Sequence, residues 1–351
     1  MKLPVLPPYP PMEARLVSQI PTGKNWIYEP KWDGFRCIVF RDGAEVELQS
    51  KAGKPLGRYF PELIENMLGI DAEAFVLDGE IVVPVTGLFS FDDLLQRIHP
   101  AASRVNRLAR ERPGTLIVFD LLVDADRTPL VDTPLFSRRK RLELFAAGHL
   151  KDRQGFSLSE STPDVKTAEK WLESGSVNLD GVVAKRGDLP YQPGERTGVQ
   201  KIKKMHTADC VVGGFRYTSS SYEHGLLSEK KQNRQVGSLL LGLYEQDGLL
   251  HHVGFCSGLS NKERSALLDI LEPIVSTSGF TGRSPGVPSR WSTERSEQWQ
   301  PVAPHLVVEV QWDHFTGGRF RHGTRLLRWR PDKPPRQCTM DQVGEGRGVG
   351  M

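Results

Sequence analysis

Lys31 stands in the run Glu29-Pro30-Lys31-Trp32-Asp33-Gly34-Phe35-Arg36, expected just past the first strand, a setting in which a lysine can serve as a nucleophile. An ordinary lysine is protonated at neutral pH and attacks poorly. One that is buried against an aromatic ring and crowded by cations releases its proton more readily and can attack phosphorus. Asp33 is close enough to orient or charge-balance it, and Gly34 lets the backbone turn tightly beside a ligand. Arg36 offers a planar fork for ribose or phosphate oxygens. Alone, a K-x-D-G run is more often a surface lysine before a turn.

Other runs add matching chemistry. Leu77-Asp78-Gly79-Glu80 brings an apolar run to two carboxylates at its end, and Asp180 and Lys185 bracket another such run. Carboxylates at strand ends can hold Mg2+. Lys201 and Lys203 alternate, so on a strand both ammonium groups point to one face and can neutralise a triphosphate. No GxxxxGK[ST] loop occurs, which excludes a P-loop enzyme on pattern.

These residues need strands to hold them. Segment 1–20 is Pro-rich and reads as an extended arm. From Trp26, two strand-like runs flank a tight turn at Arg41-Asp42-Gly43. Apolar residues recur at helical spacing in the runs starting at Tyr59, Phe89, Arg138 and Val165. Between them lie short strands at Ala74–Leu77, Thr115–Leu122 and Gly181–Lys185. Residues 1–205 are therefore expected to form an α+β domain with largely antiparallel sheets. From His206 the pattern becomes all-β: strands at 208–217, 236–245 and 249–258, then an amphipathic helix at 261–275 with Leu267, Leu268, Leu271 and Ile274 on one face. Past a Gly/Pro/Ser loop come strands at 305–315 and 318–329. That order is expected of an OB-fold barrel over 206–340, and the tail 341–351 is expected to be disordered.

Read in order, the set resembles the covalent nucleotidyltransferase superfamily of DNA ligases, RNA ligases and mRNA capping enzymes. Its K-x-D-G-x-R motif is Lys31 to Arg36, its S-R-x-G segment Ser50-Lys51-Ala52-Gly53, and its D-G-E motif Asp78-Gly79-Glu80. Phe119 resembles the aromatic that stacks on the base, and Glu29 the contact to adenine N6. Asp180 to Lys185 stands for E-G-x-V-x-K, Lys201-Ile202-Lys203 for K-x-K, and Arg330-Pro331-Asp332-Lys333 for R-x-D-K. The phrases EPKWDGFR, DGVVAKR, GSLLLGLY and LRWRPDK look like the compact bacterial ATP-dependent DNA ligases of the C type. Three positions depart from the pattern: Lys51 replaces Arg, Asp180 replaces Glu, and Val199 replaces Trp.

The resemblance implies a DNA ligase that loads AMP from ATP onto Lys31 and uses it to seal nicks, in DNA repair. Glu29, Arg36, Lys51, Glu80, Phe119, Lys185, Lys201 and Lys203 would bind the nucleotide. Glu80 and Asp180 would hold Mg2+, for which Mn2+ can substitute, and Asp33 would assist Lys31. Arg330, Asp332 and Lys333 would orient the leaving pyrophosphate. A short hinge near Lys204 to Thr207 would let the second domain turn from ATP to DNA. Arg319, Arg321 and Arg325, read as crowding the last strand and its turn with Arg328, and Lys230 and Lys231 in the loop after the first barrel strand, suit a DNA backbone.

A capping guanylyltransferase, an RNA ligase and a non-catalytic OB-type nucleic-acid binder remain alternatives. Glu29 favours ATP over GTP, and the intact lysine and carboxylates argue against a decayed enzyme. The balance of 46 Lys and Arg against 43 Asp and Glu, net +3, permits a nucleic-acid partner without arguing for one. The four scattered cysteines suggest neither zinc nor disulfides, and His251, His252, His305 and His314 show no metal spacing. No apolar run reaches the ~18 residues of a membrane span, and the opening residues lack the core of a signal peptide. A cytoplasmic monomer acting on nicked duplex DNA, with DNA-repair proteins as partners, is the expectation.

Overall fold

The computed structural model describes residues 1–174, 179–223, 226–286 and 298–344. The tail lies outside the described residues from 345 onward, as does part of the loop before His305. The chain divides into two compact units, Met1–Lys204 and Met205–Met351.

The first unit has strands β1 (Arg15–Leu16), β2 (Trp26–Trp32), β3 (Phe35–Asp42), β4 (Glu45–Ser50), β5 (Ala74–Val82), β6 (Thr115–Val123), β7 (Phe156–Leu158), β8 (Leu179–Arg186) and β9 (Val199–Ile202). Its helices are α1 (Pro61–Leu68), α2 (Phe91–Gln96), α3 (Ala102–Glu111), α4 (Leu135–Phe145) and α5 (Val165–Ser174). One sheet runs β4-β3-β5-β6-β7, the other β1-β9-β8-β2. Neighbours are antiparallel except β6 with β7 and β1 with β9.

The first sheet has a core on each face, which explains the near-continuous apolar run of β5. Strand alternation divides the two cores. Cys37 and Val39 pack with Phe60, Leu63 and Met67, whereas Ile38 and Phe40 face Leu3 and Val5 of the N-terminal arm. The arm is thus part of the core. Two local expectations change. Lys31 lies within β2, one residue before its end, and Asp78 and Glu80 sit inside β5. β5 continues past its carboxylates because the neighbouring strand β3 keeps pairing with it through Glu80 and Ile81, and β2 continues past Lys31 because Trp32 pairs with Leu179 of β8.

The second unit comprises β10 (His206–Tyr217), β11 (Val236–Tyr244), β12 (Leu250–Cys256), α6 (Asn261–Leu271), β13 (Val307–Trp312) and β14 (Arg325–Trp329). The sheet order is β12-β11-β10-β13-β14. A parallel bridge from Cys256 to Thr324 joins its ends and closes an OB-fold barrel. Helix α6 starts with a Ser260–Glu263 capping box and drives Leu267, Leu268 and Leu271 into the core. Arg319 does not lie on the last strand. It belongs to a separate small hairpin, Phe315–Thr316 against Arg319–Phe320. All four cysteines are buried free thiols. No helix among the described residues is long and apolar enough to cross a membrane.

Candidate active site

Strand β2 carries Glu29 and Lys31 and pairs antiparallel with β8, but the register slips between Leu179 and Val182. Gly181 makes this bulge possible. Its φ of +126° suits glycine, and a Cβ there would run into the Ile202 carbonyl. The bulge lies beside Asp180, whose buried carboxylate pairs with Lys31 Nζ and, at 3.2 Å, with Lys203 Nζ. Gly34 answers a second close approach, since a Cβ there would strike the Ile81 carbonyl and come within 2.9 Å of Glu80 Cγ.

A cleft of about 400 Å3 opens here. Of the sequence-derived candidates it is lined by Glu29, Lys31, Arg36, Lys51, Glu80, Phe119, Lys185 and Lys201. Asp33, Asp180 and Lys203 are outside that lining. Asp180 reaches it through its contact with Lys31, Lys203 through its contact with Asp180, and Asp33 acts by its charge on Glu80. Lys201 has its pKa lowered, first by burial and then by the positive charges of Lys31, Lys203 and Lys51. Four lysines thus share one neighbourhood, a field suited to phosphate. Lys51 is exposed and bridges to Glu13 at 3.5 Å.

At Phe119 the cleft is aromatic and cationic. Lys185 Nζ stands 4.4 Å and the Arg36 guanidinium 4.5 Å from its ring centre. Lys185 also pairs with Glu29 Oε2 at 2.6 Å, while Glu29 Oε1 is buried with no hydrogen-bond partner. A buried acceptor left unmet costs about 1–3 kcal/mol unless something donates to it, and an exocyclic amine of a base is such a donor. Arg36 is less open than its motif suggested. Its Nε and Nη2 hold Asp78 at 2.6 and 2.7 Å, so that edge of the fork is unavailable to a ligand.

Glu80 has its pKa raised to about 7, chiefly by burial, against the opposing pull of Arg36 and Lys31. A divalent cation beside it would restore the carboxylate. No cluster of three or more His, Cys, Asp or Glu able to hold a metal exists among the described residues. Two carboxylates with phosphate and water would still suit Mg2+.

Sequence reasoning missed three contributors. Pro11 to Leu16 of the arm wall the cleft, as does Tyr191. Asp120 and Arg138, also in its lining, form a buried bidentate pair at 2.8 and 2.9 Å. Only the arm had a usable signal, because a Pro-rich segment that is nonetheless ordered must pack on something.

In the second unit, Arg330 pairs with Asp332 at 2.8 Å and with Asp209 at 2.9 Å, and Lys333 reaches Asp209 at 3.5 Å. Asp332 is held down to about 2, mainly by the Arg330 hydrogen bond. Of the candidate DNA contacts, Lys230 and Arg325 are exposed, and Arg319 and Arg321 half-buried. Lys231 is tied to Asp269 at 2.9 Å, and Arg328 to Glu309 at 2.5 Å. His252 is buried with neither ring nitrogen bonded, its pKa lowered to about 3 by burial and nearby arginines.

Residues 11–203 match the family model of the ATP dependent DNA ligase domain, and residues 232–333 that of the ATP dependent DNA ligase C terminal region. Among curated proteins, DNA ligase C2 of Mycolicibacterium smegmatis is 42% identical over 98% of this chain and 96% of its own length. DNA ligase C of Mycobacterium tuberculosis is 40% identical over the same shares. A solved Lig E DNA ligase, 16% identical over 92% of this chain and 99% of its own, shares the fold at a TM-score of 0.56.

Proposed function

Because the chain belongs to the ATP-dependent DNA ligase family and is an enzyme that seals DNA nicks with ATP, we propose that Lys31 is the residue that takes up AMP. The observation that carries this is the juxtaposition of Lys31, Lys201 and Lys203 about Asp180, beside a cleft that also holds the unmet acceptor of Glu29.

The chemistry follows from the contacts. Lys31 must shed a proton before it attacks, and Asp180 is in contact to receive it. The Nζ–phosphorus bond forms as the bond from the α-phosphorus to the pyrophosphate oxygen breaks. Lys51, Lys201 and Lys203 would balance the phosphate charge. Glu29 Oε1 would accept from the amino group that adenine carries and guanine replaces with a carbonyl. Phe119 would stack on the base. AMP then passes to the 5′-phosphate at the nick, and the 3′-hydroxyl displaces it. Glu80 and Asp180 would hold Mg2+, which supplies further charge neutralisation at the phosphates. Asp33 would charge-balance Lys31, while its own negative charge works against ionisation of Glu80.

Arg330, Asp332 and Lys333 would serve the leaving pyrophosphate, with the second unit supplying Arg319, Arg321, Arg325 and Lys230 to the DNA backbone. We extend the reading to a cytoplasmic monomer with a repair role. The latter is supported by the 30% identity, over 90% of this chain and 38% of the relative's length, to a LigD of Mycobacterium tuberculosis named as a multifunctional non-homologous end joining DNA repair protein.

Incubation with ATP labelled at the α-phosphate, followed by denaturing electrophoresis, tests the proposal. The wild-type protein should carry label and Lys31→Ala none, with GTP labelling weaker by up to about 10⁴-fold. Wild-type labelling of Lys31→Ala would remove Lys31 from the role. Comparable labelling by GTP would remove Glu29 from base reading.

A further inference from the structure

The N-terminal arm and the Arg36–Asp78 pair meet at one side chain. Tyr191, between β8 and β9, is buried, its ring stacked near Tyr9 at 6.1 Å between centroids and 5.6 Å from the Arg138 guanidinium. Its hydroxyl donates to Asp78 Oδ2 at 2.6 Å and accepts from the Met12 amide at 3.1 Å. From Asp78 the chain of contacts runs to Arg36 and on to the face of Phe119. From Met12 it runs the other way, through the arm residues that wall the cleft, to Leu16, which sits in register with Lys201.

We propose that Tyr191 is a positioning residue of the cleft, its hydroxyl locking the N-terminal arm to the Arg36–Asp78 pair so that the arm is a working wall of the nucleotide site. This rests on reading the cleft as that site. The hydroxyl matters beyond packing because it satisfies two groups at once. Asp78 is fully buried, and a buried carboxylate that loses a short hydrogen bond re-partners or shifts, carrying Arg36 with it. The Met12 amide loses its acceptor in the same event. Farther up the arm, fully buried Gln49 grips the Tyr9 backbone both ways at 2.7 Å. Loss of the Tyr191 hydroxyl therefore frees the stretch after Tyr9 and leaves the arm's first residues in the core.

Tyr191→Phe keeps the ring and removes only the hydroxyl. The KM for ATP in self-adenylation should rise about tenfold, equivalent to ~1.4 kcal/mol, while the rate at saturating ATP stays within about twofold. Amide hydrogen exchange should quicken at Met12 to Leu16 and stay unchanged at the core amides of Val39 and Leu77. That reference keeps local loosening distinct from global destabilisation if the variant melts earlier. Wild-type KM with wild-type exchange at Met12 overturns the proposal, as does a uniform loss of rate with exchange quickened equally in the core. A wild-type protein that takes no label at Lys31 overturns the cleft reading instead. It is told apart from failure of the lock because the exchange at Met12 is measured without ATP.

Discussion

The cleft of the first unit and the R-x-D-K cluster of the second use the same residue types and hold them differently. In the cleft, the side chains of Asp180 and Glu29 are 4% and 3% exposed, each against a lysine. In the second unit, Arg330 answers Asp209, whose side chain is 12% exposed, and Asp332, whose side chain is 63% exposed. Exposed pairs contribute about 0–1 kcal/mol and exchange partners freely, whereas removing one member of a buried pair costs roughly 3–5 kcal/mol. The cleft is thus fixed before a ligand arrives. The cluster is neutralised among its own residues, and its exposed Asp332 arm can be re-partnered cheaply.

The largest test of this contrast is Asp180→Ala. It strands Lys31 and Lys203 beside each other without their shared carboxylate. Self-adenylation should fall by about 10²–10³-fold in a labelling time course, equivalent to ~3–4 kcal/mol on the barrier. Asp180→Glu keeps the charge and should retain most activity. Equal, mild losses in both variants would show that the buried carboxylate is an ordinary strand-end charge.

A smaller effect is expected at the cluster. Arg330→Ala breaks a solvated pair with Asp332 and a more buried one with Asp209, which Lys333 still reaches, so the melting temperature should fall only modestly. Self-adenylation should fall about tenfold, near 1.4 kcal/mol, while a pre-adenylated nick is still sealed at the wild-type rate. Equal failure at both steps, with a lowered melting temperature, would make the cluster structural and end the distinction between the two regions.

The contrast also explains what could be read from the sequence. Glu29, Lys31 and Arg36 are neighbours on β2 and β3, and Lys201 and Lys203 lie two apart, so spacing alone groups them. Strands and most helices announced themselves by period. Helix α3 did not, because Val105, Leu108 and Ala109 are its only buried residues among many charges. Tyr191 lies 113 residues from Asp78 and 179 from Met12, and Arg138 finds Asp120 from a different element. Such partners depend on how the sheet and arm pack, which no local spacing encodes. Arg36 was misjudged for the same reason. Its motif identifies a cation, and only the fold reveals that Asp78 holds one edge of it. The separate hairpin of Arg319 was likewise hidden, since GRFRHGTRLLRW reads as one strand until Thr324 bridges to Cys256.

The smallest predicted effect separates two adjacent lysines. Lys230 is exposed, whereas Lys231 is held by Asp269 at 2.9 Å and Glu272 at 3.7 Å. The Asp269 hydrogen bond is the main reason its pKa is raised. Binding of nicked duplex DNA releases about 0.9 counterion per phosphate contact, so each lost contact flattens the log Kd against log salt slope by about that amount. Lys231 must first leave two carboxylates, which offsets what a phosphate offers it and leaves those carboxylates facing the DNA. Lys230→Ala should therefore flatten the slope by about 1 and weaken binding several-fold at low salt. Lys231→Ala should change the slope by clearly less. Both are measured by fluorescence anisotropy across a salt series with the Lys31→Ala protein, so that no substrate is consumed. A larger slope change for Lys231 would mean that its ion pairs open on contact with DNA, and the rule that exposed pairs re-partner cheaply would then extend from the R-x-D-K cluster to the DNA-facing loop.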